Sequence, residues 1–321
     1  MRFALSQEQS QFAAALSSLL ADADVPAAIR AWAGGDQAPG LTLWRRLAEL
    51  GVTALAIGEE YDGLAASPVD VVVAFEELGR HAVPGPLIES LVAVPALLGR
   101  SDPAASAVAA RWLPGIASGK TLATVALPPH VPHALDADLA DPVLLAGPDG
   151  IRLGRVGPAY SSVDRSRRLF ELNAGEPVGA GDVGAALDAG ALACAAQLLG
   201  LGRSLLDATV EYAKQRHQFD RPIGSFQAVK HHLADVLVGL ELARPLVYGA
   251  AVTGDPRDVS AAKVAASEAA YRAGRVALQV HGAIGYTAEH DLGLWLTKVR
   301  ALRSAWGTPH WHRTRILEAA C

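Results

Sequence analysis

The C-terminal part of the chain, residues 183–321, consists of long alanine-rich segments joined by very short breaks. Breaks at 220–224, 253–256 and 282–285 contain Gly and are only a few residues long. Connections this short place consecutive helices side by side and antiparallel. The apolar periodicity predicts helices over 184–217, 226–252, 257–282, 290–304 and 309–319. The pattern therefore predicts a helical bundle whose small side chains let the helices pack closely.

Two further parts precede this bundle. Residues 1–118 show helical periodicity, and residues 119–182 change to short β-prone pieces separated by turn signals such as Asn173-Ala174-Gly175. The helical pattern predicts segments over 7–22, 41–50, 68 to before Pro84, 88–99 and 103–113. About sixty residues supply few strands, so a small antiparallel β unit must bury one face against the helices. We predict a mainly α chain with a small β domain, divided into 1–118, 119–182 and 183–321.

Composition and charge exclude several classes of protein. Hydrophobic residues make up 51% and charged residues 19%, which excludes long disorder. The net charge of −5 argues against nucleic acid as the main partner. The most apolar stretch, 186–202, contains Asp188 and Gln197, so we interpret it as a core helix and not a membrane span. The first residues resemble no signal peptide, and a cytoplasmic location is expected.

Metal and disulfide chemistry have weak support in this sequence. Cys194 and Cys321 have no CxxC or CxxH neighbour. His281, His310 and His312 lack the carboxylate spacing of a zinc site, so no metal is expected. The segment 306–315, WGTPHWHRTR, crowds aromatic rings and cations, which favours a ligand cleft or a subunit contact.

The segment RHQFDRPIGSFQ, residues 216–227, carries groups that suit a phosphate with an attached purine. Arg216 and Phe219 are three residues apart at a predicted helix end and are expected to share a face, with Gln218 beside them. A guanidinium takes phosphate oxygens at two points, and a ring supplies a stacking surface. The alternative is a solvated helix end with one buried Phe.

A second segment, QVHGAIGYTAEHD at 279–291, ends a predicted alanine-rich helix at Gly282, with Gly285 three residues on and Gln279 one turn before. Glycines let a ligand or another backbone approach closely. An ordinary helix cap and turn is the alternative. No GxGxxG follows a strand, so a Rossmann site is not supported.

Taken together, the motifs resemble those of the acyl-CoA dehydrogenase family over nearly the whole chain. The matching segments are FALSQEQSQF, LWRRLAELGVTALAIGEEYDGL, FEELGRHAVPGPL, RHQFDRPIGSFQAVKHHLADV and QVHGAIGYTAEHDLGLWLTKVR. Gly58 and Asp62 stand where the family usually has Pro and Gly. The resemblance implies an N-terminal helical domain, a middle β domain and a C-terminal four-helix bundle.

The resemblance also implies a cofactor and a reaction. Family members bind FAD at a subunit interface and dehydrogenate acyl-CoA thioesters between the α and β carbons, passing electrons to an electron-transfer flavoprotein or similar acceptor. A carboxylate removes the α-proton, and the β-hydrogen leaves as hydride to the flavin. The positions that match the family's contacts to an FAD held mainly by a neighbouring subunit are Arg216, Gln218, Phe219, Gln279, Gly282 and Gly285, with Thr308 counted among the cofactor residues.

Two departures from the family pattern concern the reacting end of that site. The family's usual base position falls at Trp306, before Gly307-Thr308, and indole cannot accept the proton. A second family position for the base falls at Ala189 or Gly190, which leaves the adjacent Asp188 as a weak candidate and the catalytic residue unassigned. The β region is also short, with VALPPHVPH replacing the segment that normally cradles the flavin ring.

These departures resemble the degenerate, shortened subunits of actinobacterial heterotetrameric acyl-CoA dehydrogenases, including those that act on steroid side chains. The chain is therefore expected to pair with a second acyl-CoA dehydrogenase subunit and to contribute part of its FAD site. Small-residue faces at 186–202 and 260–277 are expected to form the subunit contacts. Two alternatives remain open: a scaffold subunit that binds no FAD, and an active homo-oligomer with a displaced base.

Overall fold

The computed structural model describes residues 4–99, 103–287 and 289–319, and Cys321 lies outside them. Six helices come first: α1 (Gln7–Ala21), α2 (Val25–Ala33), α3 (Ala38–Glu49), α4 (Pro68–Arg80), α5 (Val94–Leu98), which a turn of π-helix over Glu89–Ala93 precedes, and α6 (Pro103–Ala117). A sheet follows: β1 (Thr124–Ala126), β2 (Ala134–Leu135), β3 (Val143–Gly147), β4 (Gly150–Ser161) and β5 (Arg168–Gly179). The last part contains α7 (Val183–Gln215), a hairpin of β6 (His217–Gln218) and β7 (Arg221–Pro222), α8 (Gln227–Thr253), α9 (Pro256–His281), α10 (Leu292–Ser304) and α11 (Pro309–Glu318).

Local capping signals account for where the first helices begin and end. Ser6 and Gln9 form a reciprocal capping box at the start of α1, and Gly51 adopts the left-handed φ of +83° just after α3. Helix α2 was not predicted from the sequence. Its start carries a readable signal, because Asp24 caps it by accepting from the Ala27 N–H group.

The middle sheet differs in two ways from the antiparallel unit expected. Its strand order is β1-β3-β4-β5-β2, and the β1–β3 pair is parallel because the chain between them carries β2 to the far edge. The predicted turn at Asn173-Ala174-Gly175 is wrong, since β5 runs through it and absorbs the irregularity as register shifts against β4. Val125, Leu144 and Ile151 join the same apolar core as the helices, so the sheet buries one face there.

Helix α7 is the central element of the C-terminal bundle. It packs against α4, α8, α9 and α10, and most of its buried residues are Ala, Leu or Gly. By length and composition alone, α7 and α8 are apolar enough to cross a membrane. In the folded chain, 67% of the apolar window of α7 is buried, as expected for a core helix, whereas the window of α8 is 39% buried.

The small-residue faces do not form the exposed surfaces that were expected. Along 186–202 and 260–277 most of the alanines are buried within the chain, because α7 and α9 pack against each other there. Helix α8 instead carries several exposed large apolar side chains. These are Leu237, Val238, Leu242, Leu246 and Val252.

Candidate functional site

The first candidate segment is a hairpin at the end of α7. The helix stops at Gln215, Arg216 is its extended C-cap, and Phe219 and Asp220 turn the hairpin with positive φ angles of 53° and 63°. Arg216 and Phe219 therefore do not share a helix face, and that prediction is wrong. The ring of Phe219 is 86% exposed, so the alternative of a single buried Phe is also wrong.

The second candidate segment is the turn that ends α9. Gly282 leaves the helix with φ +64° and ψ −138°, a conformation that side chains disfavour. Gly285 is buried beneath the turn, where an added Cβ would lie 3.2 Å from the Cβ of His281. Gln279 faces solvent one turn earlier, and Tyr286 is 77% exposed at the end of the turn.

The fold brings these two segments to one end of the bundle. The ring of Tyr212, one turn before the hairpin, stacks on that of His281 with centroids 4.3 Å apart. We call residues 216–222 and 279–286 together the hairpin–turn surface. Among the described residues, the guanidinium of Arg216 has no hydrogen-bond or ion-pair partner, and the Gln218 amide donates only to its neighbour His217. The surface thus presents a free cation, an amide and exposed rings.

Thr308 is not part of the hairpin–turn surface, and its side chain caps a helix. Its hydroxyl accepts a hydrogen bond from the backbone N–H of Trp311, which makes it the N-cap of α11. The imidazoles of His281 and His312 each make hydrogen-bond contacts with different groups. His281 contacts the Ala277 carbonyl, and His312 contacts Ser260 and the Trp306 carbonyl.

The two positions where a catalytic base was sought lie against each other. Trp306 is buried, with a positive φ of 57°, and its ring covers Gly190 so closely that an added Cβ on Gly190 would lie 2.2 Å from a ring carbon. The indole of Trp306 thus fills the space beside Gly190. Asp188 faces another way, because both its carboxylate oxygens receive hydrogen bonds from Arg315 on α11.

Buried polar contacts hold the turn that carries Trp306. The ring of His312 donates through Nε2 to the Trp306 carbonyl, 3.0 Å away, and accepts through Nδ1 from Ser260. Burial lowers the pKa of His312 to about 4, which keeps the ring neutral and suits this pair of contacts. The ammonium of Lys263, also fully buried, donates to the carbonyls of Leu302 and Arg303, 3.2 Å from each.

A cavity of about 480 Å³ opens beside Trp306, and we call it the Trp306 cavity. It contains one buried acid that sequence reasoning missed, Glu89 at the start of the π-helical turn. Burial raises the pKa of the Glu89 carboxyl, against the opposing effect of the Arg167 guanidinium. An acid inside the apolar run LIESLVAV is the signal that could have found it. The residues that line the Trp306 cavity include Glu89, His130, His133, Val163, Arg167 and Arg300.

The segment VALPPHVPH, which stands where the family usually has its flavin-cradling segment, covers one side of this cavity. Leu127 and Val131 form an isolated β-bridge, and the ring of His130 between them lies tilted against that of Trp311 of α11, with centroids 4.1 Å apart. The loop is therefore fastened against the C-terminal helix by this chain's own side chains.

Two family models match the sequence. The model described as acyl-CoA dehydrogenase, N-terminal domain, matches residues 6–120, and the one described as acyl-CoA dehydrogenase, C-terminal domain, matches residues 179–321. Acyl-CoA dehydrogenase IpdE2 of Mycobacterium tuberculosis is 37% identical over 297 residues, which cover 91% of this chain and 91% of that protein.

Solved structures share the fold. A chain of the ChsE4–ChsE5 complex from Mycobacterium tuberculosis superposes with a TM-score of 0.83 at 23% identity, covering 100% of this chain and 99% of that chain. A variant of the Tcur3481–Tcur3483 steroid ACAD does so with a TM-score of 0.83 at 24% identity, covering 98% of each. These likenesses confirm the helical, β and helical order expected from the sequence.

Proposed function

The chain belongs to the acyl-CoA dehydrogenase family, and from that premise we propose that it serves as one subunit of a hetero-oligomeric, FAD-dependent acyl-CoA dehydrogenase. In this proposal its hairpin–turn surface contacts the FAD that a partner subunit holds. The partner subunit supplies the catalytic base and the flavin cradle.

The observation that carries the proposal is the combination of an exposed ring and a free guanidinium on the hairpin–turn surface. A ring that is 86% exposed loses hydrophobic stabilisation unless something covers it. Arg216 is exposed beside it with no partner in the described part of the chain. A dinucleotide fits both groups, since its pyrophosphate accepts two-point hydrogen bonds from a guanidinium and its adenine packs on a ring.

The residues of this surface would bind and orient the cofactor. Arg216 would meet the pyrophosphate, Phe219 would cover the adenine, and the Gly282 turn would let the cofactor approach the backbone. When bound, FAD supplies the two-electron redox chemistry. This chain would contribute by excluding water and by placing the adenine end of the cofactor.

The reacting end of the site favours a partner that holds the base. Trp306 and Gly190 provide no proton acceptor, and both oxygens of Asp188 are already paired with Arg315. We propose a bulky, steroid-derived acyl-CoA as substrate and an electron-transfer flavoprotein as acceptor. Support for the substrate class comes from the similarity to the Tcur3481–Tcur3483 steroid ACAD, and support for paired subunits from that structure and the ChsE4–ChsE5 complex.

The test measures flavin content in the complex with the partner subunit. This chain is co-expressed with the acyl-CoA dehydrogenase chain encoded beside it, and flavin absorbance per complex is read after gel filtration. Arg216→Ala should release most of the FAD, because a charge-assisted two-point contact is lost. Arg216→Lys should be intermediate, since lysine restores the charge without the planar fork.

Lys214→Ala is the matched control. Lys214 is an exposed cation at the end of the same helix, paired only with Glu211, so its loss should leave the flavin content unchanged. A complex that forms without flavin would favour the scaffold alternative. Equal flavin content in wild type and both Arg216 variants would contradict the role proposed for this surface.

A further inference from the structure

The side chain of His290 holds the start of α10. Asp291 occupies the N-cap position of this helix, but its carboxylate pairs with Arg30 of α2. The ring of His290 instead accepts a hydrogen bond through Nδ1 from the backbone N–H of Leu292, 3.1 Å away. The first N–H groups of a helix need such an acceptor, since the helix itself supplies none. A ring nitrogen accepts only while it carries no proton, so His290 acts here in its neutral form, with the proton on Nε2.

The same ring lies against the turn that ends α9. His290 meets His281 edge to face, with ring centroids 5.3 Å apart. His281 is buried, donates through Nδ1 to the Ala277 carbonyl 2.8 Å away, and stacks on Tyr212 of α7. The turn at Gly282–Tyr286 therefore has a fixed ring at each end, His281 before it and His290 after it.

A proton on Nδ1 of His290 would undo this arrangement. The acceptor would become a donor, so the hydrogen bond from Leu292 would be lost and two N–H groups would face each other. The proton would also place a positive charge at the N-terminus of α10, where the helix dipole disfavours a cation. The ring relieves both costs only by leaving the start of the helix, and the turn then loses its second support.

The charged groups around this imidazole do not offset these costs. Arg30 and Asp291 pair with each other, and Glu289 is exposed beside them. Among the described residues no carboxylate forms an ion pair with His290. Burial lowers the pKa of His281, which keeps that ring neutral, so it supplies no counter-charge.

We propose that His290 is a positioning residue for the hairpin–turn surface, and that its neutral ring holds the turn at Gly282–Tyr286 in the shape that contacts FAD. This inference rests on the function proposed above, because that function makes the turn a cofactor contact. Histidine is the side chain that ordinarily gains its charge between pH 8 and 5, whereas the guanidinium of Arg216 keeps its charge throughout. Flavin retention by the complex should therefore fall as the pH drops through this range.

The test measures flavin per complex after gel filtration at pH steps from 8 to 5.5, with the mass of the complex read on the same column. The wild type should lose at least about half of its FAD across this range. His290→Asn should retain FAD at every step, because the amide oxygen accepts from the Leu292 N–H group and does not titrate. His290→Ala should hold at most about half the wild-type FAD even at pH 8. His310→Asn is the matched control, an exposed histidine in the first turn of α11, and should follow the wild-type profile.

A second measurement does not involve flavin. Amide hydrogen exchange of the turn at Gly282–Tyr286 in the full-length chain should show faster opening in the wild type than in His290→Asn at pH 5.5, and equal opening at pH 8. A loss of FAD at low pH that His290→Asn shares, or equal exchange at pH 5.5, would overturn the proposal. Unchanged protection of the wild-type turn across the range would do so even if the variant failed to fold. If Arg216→Ala keeps its FAD, the proposed function fails, while the exchange result still decides whether His290 holds the turn.

Discussion

At the scale of single residues, the contact between Trp306 and Gly190 limits what this chain can do by itself. The two residues are more than a hundred positions apart, and each stands where a carboxylate base was sought. Their close packing means that no carboxylate can stand at position 190 while the indole of Trp306 is in place. A side chain on Gly190 would collide with the indole. The indole of Trp306 therefore occupies the space that a base on Gly190 would need.

A second residue-scale feature makes stability depend on pH. The pKa of His312 is lowered by burial to about 4, so the folded chain binds fewer protons than the unfolded chain between pH 6.5 and 4. Stability should fall as the pH drops through this range, by up to about 3 kcal/mol. Urea unfolding at steps from pH 7.5 to 4 measures it. His312→Gln should flatten this part of the profile, and parallel profiles for variant and wild type would contradict the assignment.

At the scale of secondary-structure elements, two glycines set the crossing of α4 and α7. A Cβ on Gly79 would lie 2.2 Å from the carbonyl oxygen of Gln197, and one on Gly200 would lie 1.9 Å from that of Glu76. Backbone cannot move aside as a flexible side chain can. The two helices can therefore approach this closely only because both contacts lack a side chain.

This crossing yields a prediction about stability. Gly200→Ala should destabilise the chain by about 1–3 kcal/mol, because the added methyl group forces the helices apart. Gly249→Ala is the control, since Gly249 lies inside α8 with nothing within 4 Å of an added Cβ. That change should be neutral or stabilise by up to about 1 kcal/mol, as alanine favours helices. Chemical denaturation of both variants would show the idea to be wrong if they behaved alike.

At the scale of the whole molecule, the exposed apolar side chains of α8 predict association. Leu242 is 69% exposed and Leu246 is 47% exposed on the same helix, beside Glu268 and Arg272 of α9. A contiguous apolar surface of this kind usually marks an interaction site. The subunit contacts are therefore expected on α8, and not on the alanine faces that pack inside the chain.

Leu242→Asp should weaken this association, because a buried carboxylate without a partner is costly in an apolar interface. Light scattering at micromolar concentration should show a lower mass than for the wild type. Leu317→Asp serves as the comparison, since Leu317 on α11 is similarly exposed at 67%. A monomeric wild type, or equal masses for both variants, would count against an interface on α8.

The whole molecule also carries a prediction about activity. We expect the isolated chain, supplied with FAD, to reduce flavin with an acyl-CoA at least about 10²-fold more slowly than the complex, since general base catalysis typically contributes 10²–10⁴-fold. Anaerobic loss of flavin absorbance measures the rate. Comparable rates in the isolated chain, abolished by Asp188→Ala, would instead assign Asp188 as the base.

The sequence by itself determined the three-part order and most helices. Periodicity and caps are local, so segments such as 257–282 were predicted within a residue or two of α9. The resemblance to the family also predicts that Trp306 stands at the usual base position, and this stays a prediction. Helix α2 and the parallel β1–β3 pair were not predicted. Helix α2 has nine residues, which give only about two and a half turns of apolar periodicity, and strand order depends on contacts between distant segments.

Only the tertiary structure decided which side chains meet. It paired Asp188 with Arg315, turned the alanine faces of α7 and α9 inward and placed Glu89 beside Trp306. Each of these contacts joins residues that are far apart in the chain, and no local pattern encodes such a distance. The hairpin–turn surface needed both sources of information. Its residues were predicted from the sequence motifs, whereas their exposure depends on where α7 and α9 end in the folded chain.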